Sequence, residues 1–427
     1  MTQSTQLQTQ ALHAGHDVTQ HGGTRAVPIY HTSSYVFKNA DHAANLFNLS
    51  EPGYIYTRLN NPTNDILEQR LAALEGGVGA VVTASGTAAI STALLTLLKA
   101  GDHIVASGSL YGGTFNLLHV TLPRFGITTS FVNADNPDDV AAAIQENTRA
   151  FFIESLGNPK LDVLDLEVLA EVAHQHDIPF IVDNTIATPA LLRPIEYGAD
   201  IVIHSLTKYI TGNGTGMGGA IIDAGNFNWA NGKFPEFTEP APGYHGLVYH
   251  EALGNLAYVA RLRIEGLRDL GAAMSPFNAF GTLQGLETLA LRIKQHSENA
   301  LALAQWLEAQ PQVAWVNYPG LNQSPYYELA QKYLPKGQSG ILTFGLKGGF
   351  EAAKQVVNEA KLFSLLANIG DTKSLIIHPA STTHQQLDEQ AQHAAGVSPD
   401  LIRLSVGIEA IEDLVADLQQ AFATLKD

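Results

Sequence analysis

Short runs of β-branched and aliphatic residues alternate with longer stretches of helical periodicity between residues 64 and 270. Such runs are typical of buried strands, and apolar residues that recur every three or four positions are typical of helices with one buried face. The strand-like runs are GAVVTA, DHIVAS, FFIES, PFIVDN and IVIHS. Because helical segments of about ten residues or more separate them, the pattern predicts βαβ crossovers in a mostly parallel sheet with helices on both faces.

The pattern changes on either side of this region. Residues 1–63 show little periodicity and are rich in His, Thr, Ser, Asn, Gly and Tyr, which predicts an extended arm. A helix is expected from Asn64. After residue 270, a long helical stretch precedes shorter strand-like runs such as GILTFGL and LIRLSVG and a final amphipathic helix. Residues 271–427 are therefore predicted to form a smaller α+β domain that follows a large domain at 64–270.

Charge and cysteine content narrow the classes of function. The chain has 24 Lys and Arg against 41 Asp and Glu, a formal net charge of −17, which disfavours binding to nucleic acid or anionic lipid. It has no cysteine, which excludes disulfides, thiolate metal sites and cysteine nucleophiles. No histidine spacing resembles a zinc site, so no metal is expected. No apolar run approaches the ~20 residues that span a bilayer and no signal peptide is evident, so the protein is expected in the cytoplasm.

Polar residues follow three of the predicted strands. Ser85, Gly86 and Thr87 lie where the first strand meets a helix, Asp183 closes the fourth strand, and Lys208 follows the fifth. Ligands of parallel sheets collect at the carboxyl ends of the strands, so these residues are expected to form one site. The first amides of a helix and its positive dipole end suit a phosphate group. The pattern therefore predicts a phosphate cradle, a buried acid and a lysine in one cavity.

Pyridoxal phosphate needs these three groups. A buried lysine forms a Schiff base with the cofactor and later moves protons, and an aspartate keeps the pyridine nitrogen protonated. Ser205 and Thr207 flank Lys208 in sequence, and Tyr111 follows the second strand, where it could stack on the ring. Each residue alone is more often structural, as a solvated lysine, a helix cap or a core tyrosine. Their combination at strand ends is what favours the cofactor.

The segment GTGMGG, residues 214–219, matches the dinucleotide-binding pattern G-x-G-x-x-G. That pattern requires a helix after it, and here the strand-like GGAIID follows. We therefore expect a loop beside the cofactor and not a nicotinamide site.

The chain resembles the Cys/Met-metabolism pyridoxal-phosphate enzymes over nearly its whole length. The matching segments are YTRLNNPTN, ASGTAAI, LYGGTFN, FIESLGNP, IVDNTIATP, HSLTKYITGNGTGMGG, GDTKSLIIHPASTTH and RLSVGIE. The resemblance implies the aspartate-aminotransferase-like (type I) fold, with a large mostly parallel-sheet domain and a smaller α+β C-terminal domain. It also implies a homotetramer built from two dimers with shared active sites.

The resemblance assigns roles to individual residues. Lys208 is implied as the Schiff-base lysine, Asp183 as the partner of the ring nitrogen and Tyr111 as the stacking ring. The implied phosphate ligands from the same subunit are Ser85, Gly86, Thr87, Ser205 and Thr207. Tyr56 and Arg58 are implied to reach the phosphate from the neighbouring subunit. The implied ligands of the substrate carboxylate are Asn158, Ser374 and Arg403.

The segments ESLGNP and FTEPAPGYHGLVY are most similar to the sulfhydrylase subgroup of this family. That similarity implies γ-replacement, in which O-acetyl-L-homoserine and sulfide or a thiol give L-homocysteine or methionine and acetate. Two alternatives within the family are use of the O-succinyl ester and γ-elimination of the methionine or cystathionine γ-lyase type. The lack of cysteine disfavours the methionine γ-lyases, which commonly use one near the site. A catalytically silent protein on the same scaffold would be expected to lack Lys208 or Asp183.

Overall fold

The computed structural model describes residues 6–383, 385 and 396–425. The predicted arm, residues 1–63, and the predicted C-terminal domain, residues 271–427, both include residues outside these ranges. The last residue of the motif GDTKSLIIHPASTTH, His384, also lies outside them. A seven-stranded sheet has the order β1-β7-β6-β5-β4-β2-β3. Its strands are β1 Gly79–Thr83, β2 His103–Ser107, β3 Thr128–Val132, β4 Thr148–Glu154, β5 Phe180–Asp183, β6 Ile201–Ser205 and β7 Gly219–Asp223.

Five neighbouring strands of this sheet are parallel, in the order β6, β5, β4, β2 and β3. Strand β7 lies between β6 and β1 and is antiparallel to both. The predicted mostly parallel sheet is confirmed. Alternate residues of each strand enter two separate apolar clusters, one on each face, as Val182 and Ile181 do on β5. The predicted cover on both faces is confirmed as well, because each cluster also contains residues of helices.

The helices are distributed along the described chain. Those before the last strand of the large sheet are α1 Leu7–His13, α2 Ala40–Phe47, α3 Pro62–Glu75, α4 Gly86–Leu97, α5 Gly112–Asn116, α6 Pro137–Ala143, α7 Leu166–Gln175 and α8 Thr188–Leu191. Those after it are α9 Pro235–Thr238, α10 Tyr249–Leu253, α11 Ala257–Arg261, α12 Arg268–Leu270, α13 Pro276–Glu287, α14 Leu289–Glu308, α15 Tyr327–Tyr333, α16 Gly349–Glu359 and α17 Ile411–Phe422. No helix in the described ranges is long and apolar enough to cross a bilayer.

The C-terminal part of the chain contains a smaller sheet with the order β10-β11-β12-β9-β8. Its strands are β8 Val313–Asn317, β9 Ile341–Leu346, β10 Ser364–Leu365, β11 Leu375–Ile377 and β12 Leu401–Ser405. Residues of α14, α16 and α17 pack on it in a third apolar cluster. The α+β character predicted for this part of the chain is therefore confirmed.

The N-terminal region is more structured than its sequence predicts. Helix α1 packs against α3 and α13, and α2 also lies in the predicted arm. Helix α3 begins at Pro62, two residues before the predicted start at Asn64, because the Asn61 side chain accepts a hydrogen bond from the Thr63 amide and Pro62 suits the first helical turn.

Candidate active site

A cavity of about 290 Å³ lies where β4, β5 and β6 end, and residues of both sheets line it. The structure brings ten of the predicted site residues together there: Ser85, Gly86, Thr87, Tyr111, Asn158, Asp183, Ser205, Thr207, Lys208 and Arg403. These residues come from distant parts of the sequence, so the fold and not local sequence assembles the site.

One wall of the cavity is the N-terminus of α4. Ser85 is the N-cap, and its hydroxyl accepts a hydrogen bond from the Ala88 amide at 3.1 Å. The amides of the first helical residues, Gly86 and Thr87, have no partner within the helix. A Cβ on Gly86 would lie 2.6 Å from the Cβ of Ser205, so only glycine lets the helix end approach the end of β6 this closely. This arrangement suits an anion.

Two buried carboxyl groups lie side by side at the floor of the cavity. Asp183 ends β5 and is in register with Glu154 at the end of β4. The Asp183 carboxylate accepts the Thr185 amide at 3.0 Å, and burial raises the pKa of Asp183. Glu154 accepts the Tyr111 amide at 2.6 Å, and burial together with the neighbouring Asp183 raises the pKa of Glu154 well above its usual value. A positive group bound in the cavity beside Asp183 would lower the pKa of this carboxyl group and so oppose the effect of burial.

Two cationic side chains line the same cavity, Arg403, which is buried, and Lys208, which is partly buried. Lys208 donates from Nζ to the side-chain oxygen of Asn368 at 2.6 Å. Arg403 donates from Nη1 to the Asn158 side-chain oxygen and from Nη2 to the Asn368 carbonyl, both at 3.2 Å. Burial, with a smaller contribution from Arg403, lowers the pKa of Lys208 to about 8. Lys208 is therefore neutral in a large fraction of molecules at mildly alkaline pH.

Tyr111 stands at the mouth of the cavity. It occupies the N-cap position of α5, and the residue is 55% exposed. A Cβ on Gly113 would lie 2.5 Å from the ring atom Cε1, so glycine leaves room for this ring orientation. The hydrogen bond from the Tyr111 amide to the Glu154 carboxyl group fixes the backbone of Tyr111.

Three predicted residues do not line the cavity. Tyr56 and Arg58 lie on an irregular segment before α3, where Arg58 stacks on the Tyr56 ring at 5.4 Å and donates to the Arg268 carbonyl at 2.5 Å. Ser374 is fully buried; its hydroxyl donates to Glu409 at 2.9 Å and accepts the Gly407 amide at 2.8 Å. These bonds connect the start of β11 to the chain after β12, and the role of Ser374 as a substrate ligand stays a prediction.

Several lining residues were missed by the sequence analysis. Glu154 ends the run FFIES just as Asp183 ends PFIV, so the strand-end signal that found Asp183 could have found it. Thr185 accepts the Ser205 amide at 2.7 Å and ties β6 to the segment after β5. Asn368 lies between two short strands of the smaller sheet, and no sequence pattern marks it.

A sequence profile described as Cys/Met metabolism PLP-dependent enzyme matches residues 8–423. The chain belongs to this family. It is 54% identical to the O-acetyl-L-homoserine sulfhydrylase of Leptospira meyeri over 427 aligned residues, covering 98% of this chain and 97% of the relative. It is also 54% identical to the homocysteine synthase of Schizosaccharomyces pombe over 422 residues, covering 98% of each chain.

Solved structures of this PLP-dependent family share the fold. An O-acetylhomoserine (thiol)-lyase from Campylobacter jejuni superposes with a TM-score of 0.95 at 45% identity, over 98% of this chain and 100% of that one. Its crystal structure contains N'-pyridoxyl-lysine-5'-monophosphate, a lysine joined to the cofactor. The predicted family, type I fold and PLP cofactor are therefore confirmed.

The cavity fits pyridoxal phosphate in this PLP-dependent chain. It combines a partly buried lysine, a buried carboxyl group and a helix N-terminus that glycine opens to an anion. By contrast, strand β7 starts at Gly219, directly after GTGMG, so this segment lacks the helix that dinucleotide binding needs. No group of three or more His, Asp or Glu side chains in the described part of the chain could hold a metal ion.

Proposed function

We propose that this enzyme is a sulfhydrylase that converts O-acetyl-L-homoserine and sulfide, or a thiol, into L-homocysteine, or methionine, and acetate by γ-replacement. One observation carries the proposal: Lys208, Asp183 and the N-terminus of α4 line one cavity in a chain that is 54% identical, over nearly its full length, to proteins named for this reaction.

The cavity residues suggest how the cofactor is held. We assign Lys208 to the covalent bond with pyridoxal phosphate and Asp183 to the ring nitrogen, because the partly buried amine and the buried carboxyl group line the same cavity. Tyr111 would stack on the ring. The phosphate would lie at the N-terminus of α4, where Ser205 and Thr207 add hydroxyl groups to the helix amides.

Lys208 would also move protons during the reaction. When bound, the cofactor withdraws electrons from the α-carbon of the amino acid and makes the α-proton acidic. An amine whose pKa is about 8 can take that proton at mildly alkaline pH, where a large fraction of it is unprotonated and it is still basic. The same group can return a proton later, when it carries the charge.

Arg403 is the candidate ligand for the substrate α-carboxylate. Its guanidinium is buried, and its Nε has no hydrogen-bond partner among the described residues. A carboxylate that accepts two N–H groups from arginine would satisfy such a donor and pair its charge. Asn158, which already contacts Nη1, would orient the guanidinium or contribute its amide.

The charges of the cavity favour the acetyl ester over the succinyl ester. Among the described residues that line it, Lys208 and Arg403 are the cationic ones, and both have other roles in this proposal. Other arginines that could have paired with a second carboxylate, such as Arg25 and Arg124, do not line it. A succinyl group brings a second carboxylate, and burying that charge without a partner costs several kcal/mol.

The active unit is proposed to be a homotetramer of two dimers in the cytoplasm. The segment with Tyr56 and Arg58 does not reach the cavity of its own subunit, which supports a contribution to the neighbouring one. Apolar side chains of the N-terminal region are also exposed, among them Val36, which is 99% exposed. Contact with another subunit would bury them.

Steady-state assays of the purified enzyme test this function. We expect O-acetyl-L-homoserine and sulfide to give homocysteine, with kcat/KM for the acetyl ester at least about tenfold above that for the succinyl ester, because the cavity lacks a free cation. Release of 2-oxobutyrate and ammonia at the same rate with and without sulfide would instead identify a γ-lyase. A tenfold preference for the succinyl ester, at about 1.4 kcal/mol, would contradict the acyl assignment.

A further inference from the structure

Asn368 links the two cations of the cavity. Its side-chain oxygen accepts the hydrogen bond from Lys208 at 2.6 Å, and its backbone carbonyl accepts the one from Arg403 at 3.2 Å. Among the described residues, the Asn368 side chain makes this one hydrogen bond. The side chain and the backbone of the same residue therefore serve different partners.

The segment that carries Asn368 is held firmly on both sides. Upstream, the Asp417 carboxylate of α17 accepts the backbone amides of residues 361–363 at 2.9–3.2 Å. Downstream, the Gly370 amide donates to the Ser405 hydroxyl at 2.9 Å. Gly370 has a φ of +73°, and a Cβ there would lie 2.6 Å from the Tyr209 nitrogen. Asn368 thus lies between two anchored stretches, and Gly370, two residues after it, packs against Tyr209, which follows Lys208 in sequence.

We propose that Asn368 is a positioning residue that receives the Lys208 amine through its side-chain oxygen whenever that amine is not bonded to the cofactor. This inference rests on the proposed function, because it assumes that Lys208 is released when the substrate amino group takes its place. An amide oxygen only accepts hydrogen bonds, so the amine must donate to it. The amine nitrogen then keeps its lone pair available for the α-proton of the substrate.

The hydrogen bond also affects which form of Lys208 is favoured. An ammonium donates a stronger hydrogen bond to a carbonyl oxygen than a neutral amine does, so Asn368 opposes part of the effect of burial and of Arg403. The ionisable side chains that line the same cavity are Lys208, Arg403, Asp183, Glu154 and Tyr111. Replacing Asn368 leaves all five in place, so a change in Lys208 titration would report the lost or altered contact.

Two substitutions of Asn368 should shift the Lys208 pKa in opposite directions. Asn368→Ala removes the acceptor and lowers the pKa, whereas Asn368→Asp adds a negative charge and raises it by about one unit or more. The pKa is measured on the full chain after removal of cofactor with hydroxylamine, by competitive acetylation with acetic anhydride from pH 6 to 11 and mass spectrometry of the Lys208 peptide. Asn228→Asp, an exposed loop residue, is the matched control for added charge and should leave the pKa unchanged.

Kinetics of the cofactor-loaded enzyme give a second readout. Asn368→Ala keeps the backbone carbonyl that contacts Arg403, so KM for the amino-acid ester should change by less than about twofold while kcat falls by about tenfold. Arg403→Lys should instead raise KM. The acid limb of the pH–kcat profile should move in the same direction as the Lys208 pKa in each Asn368 variant.

Several outcomes would overturn the inference. The first is a Lys208 pKa that equals the wild-type value in both Asn368 variants. The second is a pKa that shifts in the same direction in both variants. The third is an Asn368→Ala variant whose whole loss of kcat/KM comes from a higher KM. A wild-type chain without sulfide-dependent turnover would overturn the proposed function instead. The acetylation measurement needs neither cofactor nor substrate, so the two failures are distinguishable.

Discussion

At the scale of single residues, Lys208 gains its reactivity from burial. Lysines are rarely buried without a charged partner, and among the described residues the acceptor of the Lys208 amine is the neutral side-chain oxygen of Asn368. Desolvation therefore moves its pKa close to the pH at which the enzyme would work. A lysine on the protein surface could not combine a free lone pair with basicity in this way.

Lys208→Ala should abolish both the visible absorbance of the bound cofactor and turnover. No other amine lines the cavity among the described residues, so we expect activity to fall by about a thousandfold or more. Absorbance spectra and homocysteine production measure the two effects. Lys294→Ala on the exposed face of α14, where the lysine pairs with Glu298, is the control and should behave as wild type. A coloured and active Lys208→Ala protein would contradict the assignment.

Asp183→Asn should retain bound cofactor but lower kcat by about a hundredfold or more, since a neutral amide cannot hold the proton of the ring nitrogen. Burial raises the pKa of Asp183, and a positive ring nitrogen beside it would act in the opposite direction by favouring the carboxylate. Equilibrium dialysis measures cofactor retention, and a steady-state assay measures kcat. Near-normal turnover would show that another group, such as the adjacent Glu154, supplies the charge.

At the scale of elements, short contacts between secondary structures hold the site. Asp417 shows this for the smaller sheet, because its carboxylate binds three successive amides ahead of β10. Thr185 performs a similar role for the larger sheet by accepting the Ser205 amide. Each contact connects a cavity-lining segment to a helix or strand that is itself packed in the core.

Asp417→Ala should destabilise the protein by about 2–4 kcal/mol, because it leaves three successive backbone amides, that of Phe363 buried and the other two partly buried, without their acceptor. Chemical unfolding followed by tryptophan fluorescence measures the change. Asp413→Ala, an exposed residue in the first turn of the same helix, should cost less than about 0.5 kcal/mol. Equal effects of the two substitutions would mean that the amides of residues 361–363 find water or another partner.

The strands of the larger sheet were predictable because a run such as PFIV is buried on both sides and leaves few alternatives. Helix α1 was not, since its seven residues LQTQALH are largely polar and bury only Ala11, so packing against α3 and not sequence pattern stabilises it. The surroundings of Ser374 were not predictable either. Its contacts with Glu409 and Gly407 depend on how β11 meets the chain after β12, which no local pattern records.

At the scale of the whole molecule, the site residues at strand ends could be predicted from sequence. The residues that contact them from other parts of the chain, such as Asn368, could not. Asp183 and Lys208 follow apolar strands whose parallel order brings their ends together. Asn368 reaches Lys208 only because the smaller sheet packs over the larger one, across 160 positions of sequence. Long-range packing of this kind has no periodic signal along the chain.

Hybrid oligomers test whether active sites are shared between subunits. Lys208→Ala and Arg58→Ala chains should each be inactive, and a verified mixture should recover about a quarter of wild-type activity, because one site in each hybrid dimer has both working residues. Mixing each variant with itself under the same conditions is the control. No recovery in verified hybrids would place the contribution of Arg58 within its own subunit or away from the phosphate.

The cavity draws its lining from positions as far apart as Ser85 and Arg403, so it exists only while most of the chain is folded. Any ligand held there binds the native ensemble and not the denatured one, and mass action then adds its binding free energy to the conformational stability. At a cofactor concentration about a hundred times the dissociation constant, that linkage amounts to about 2.7 kcal/mol. The concentration of free cofactor would thus affect the melting temperature of the enzyme as well as the fraction of it that is active.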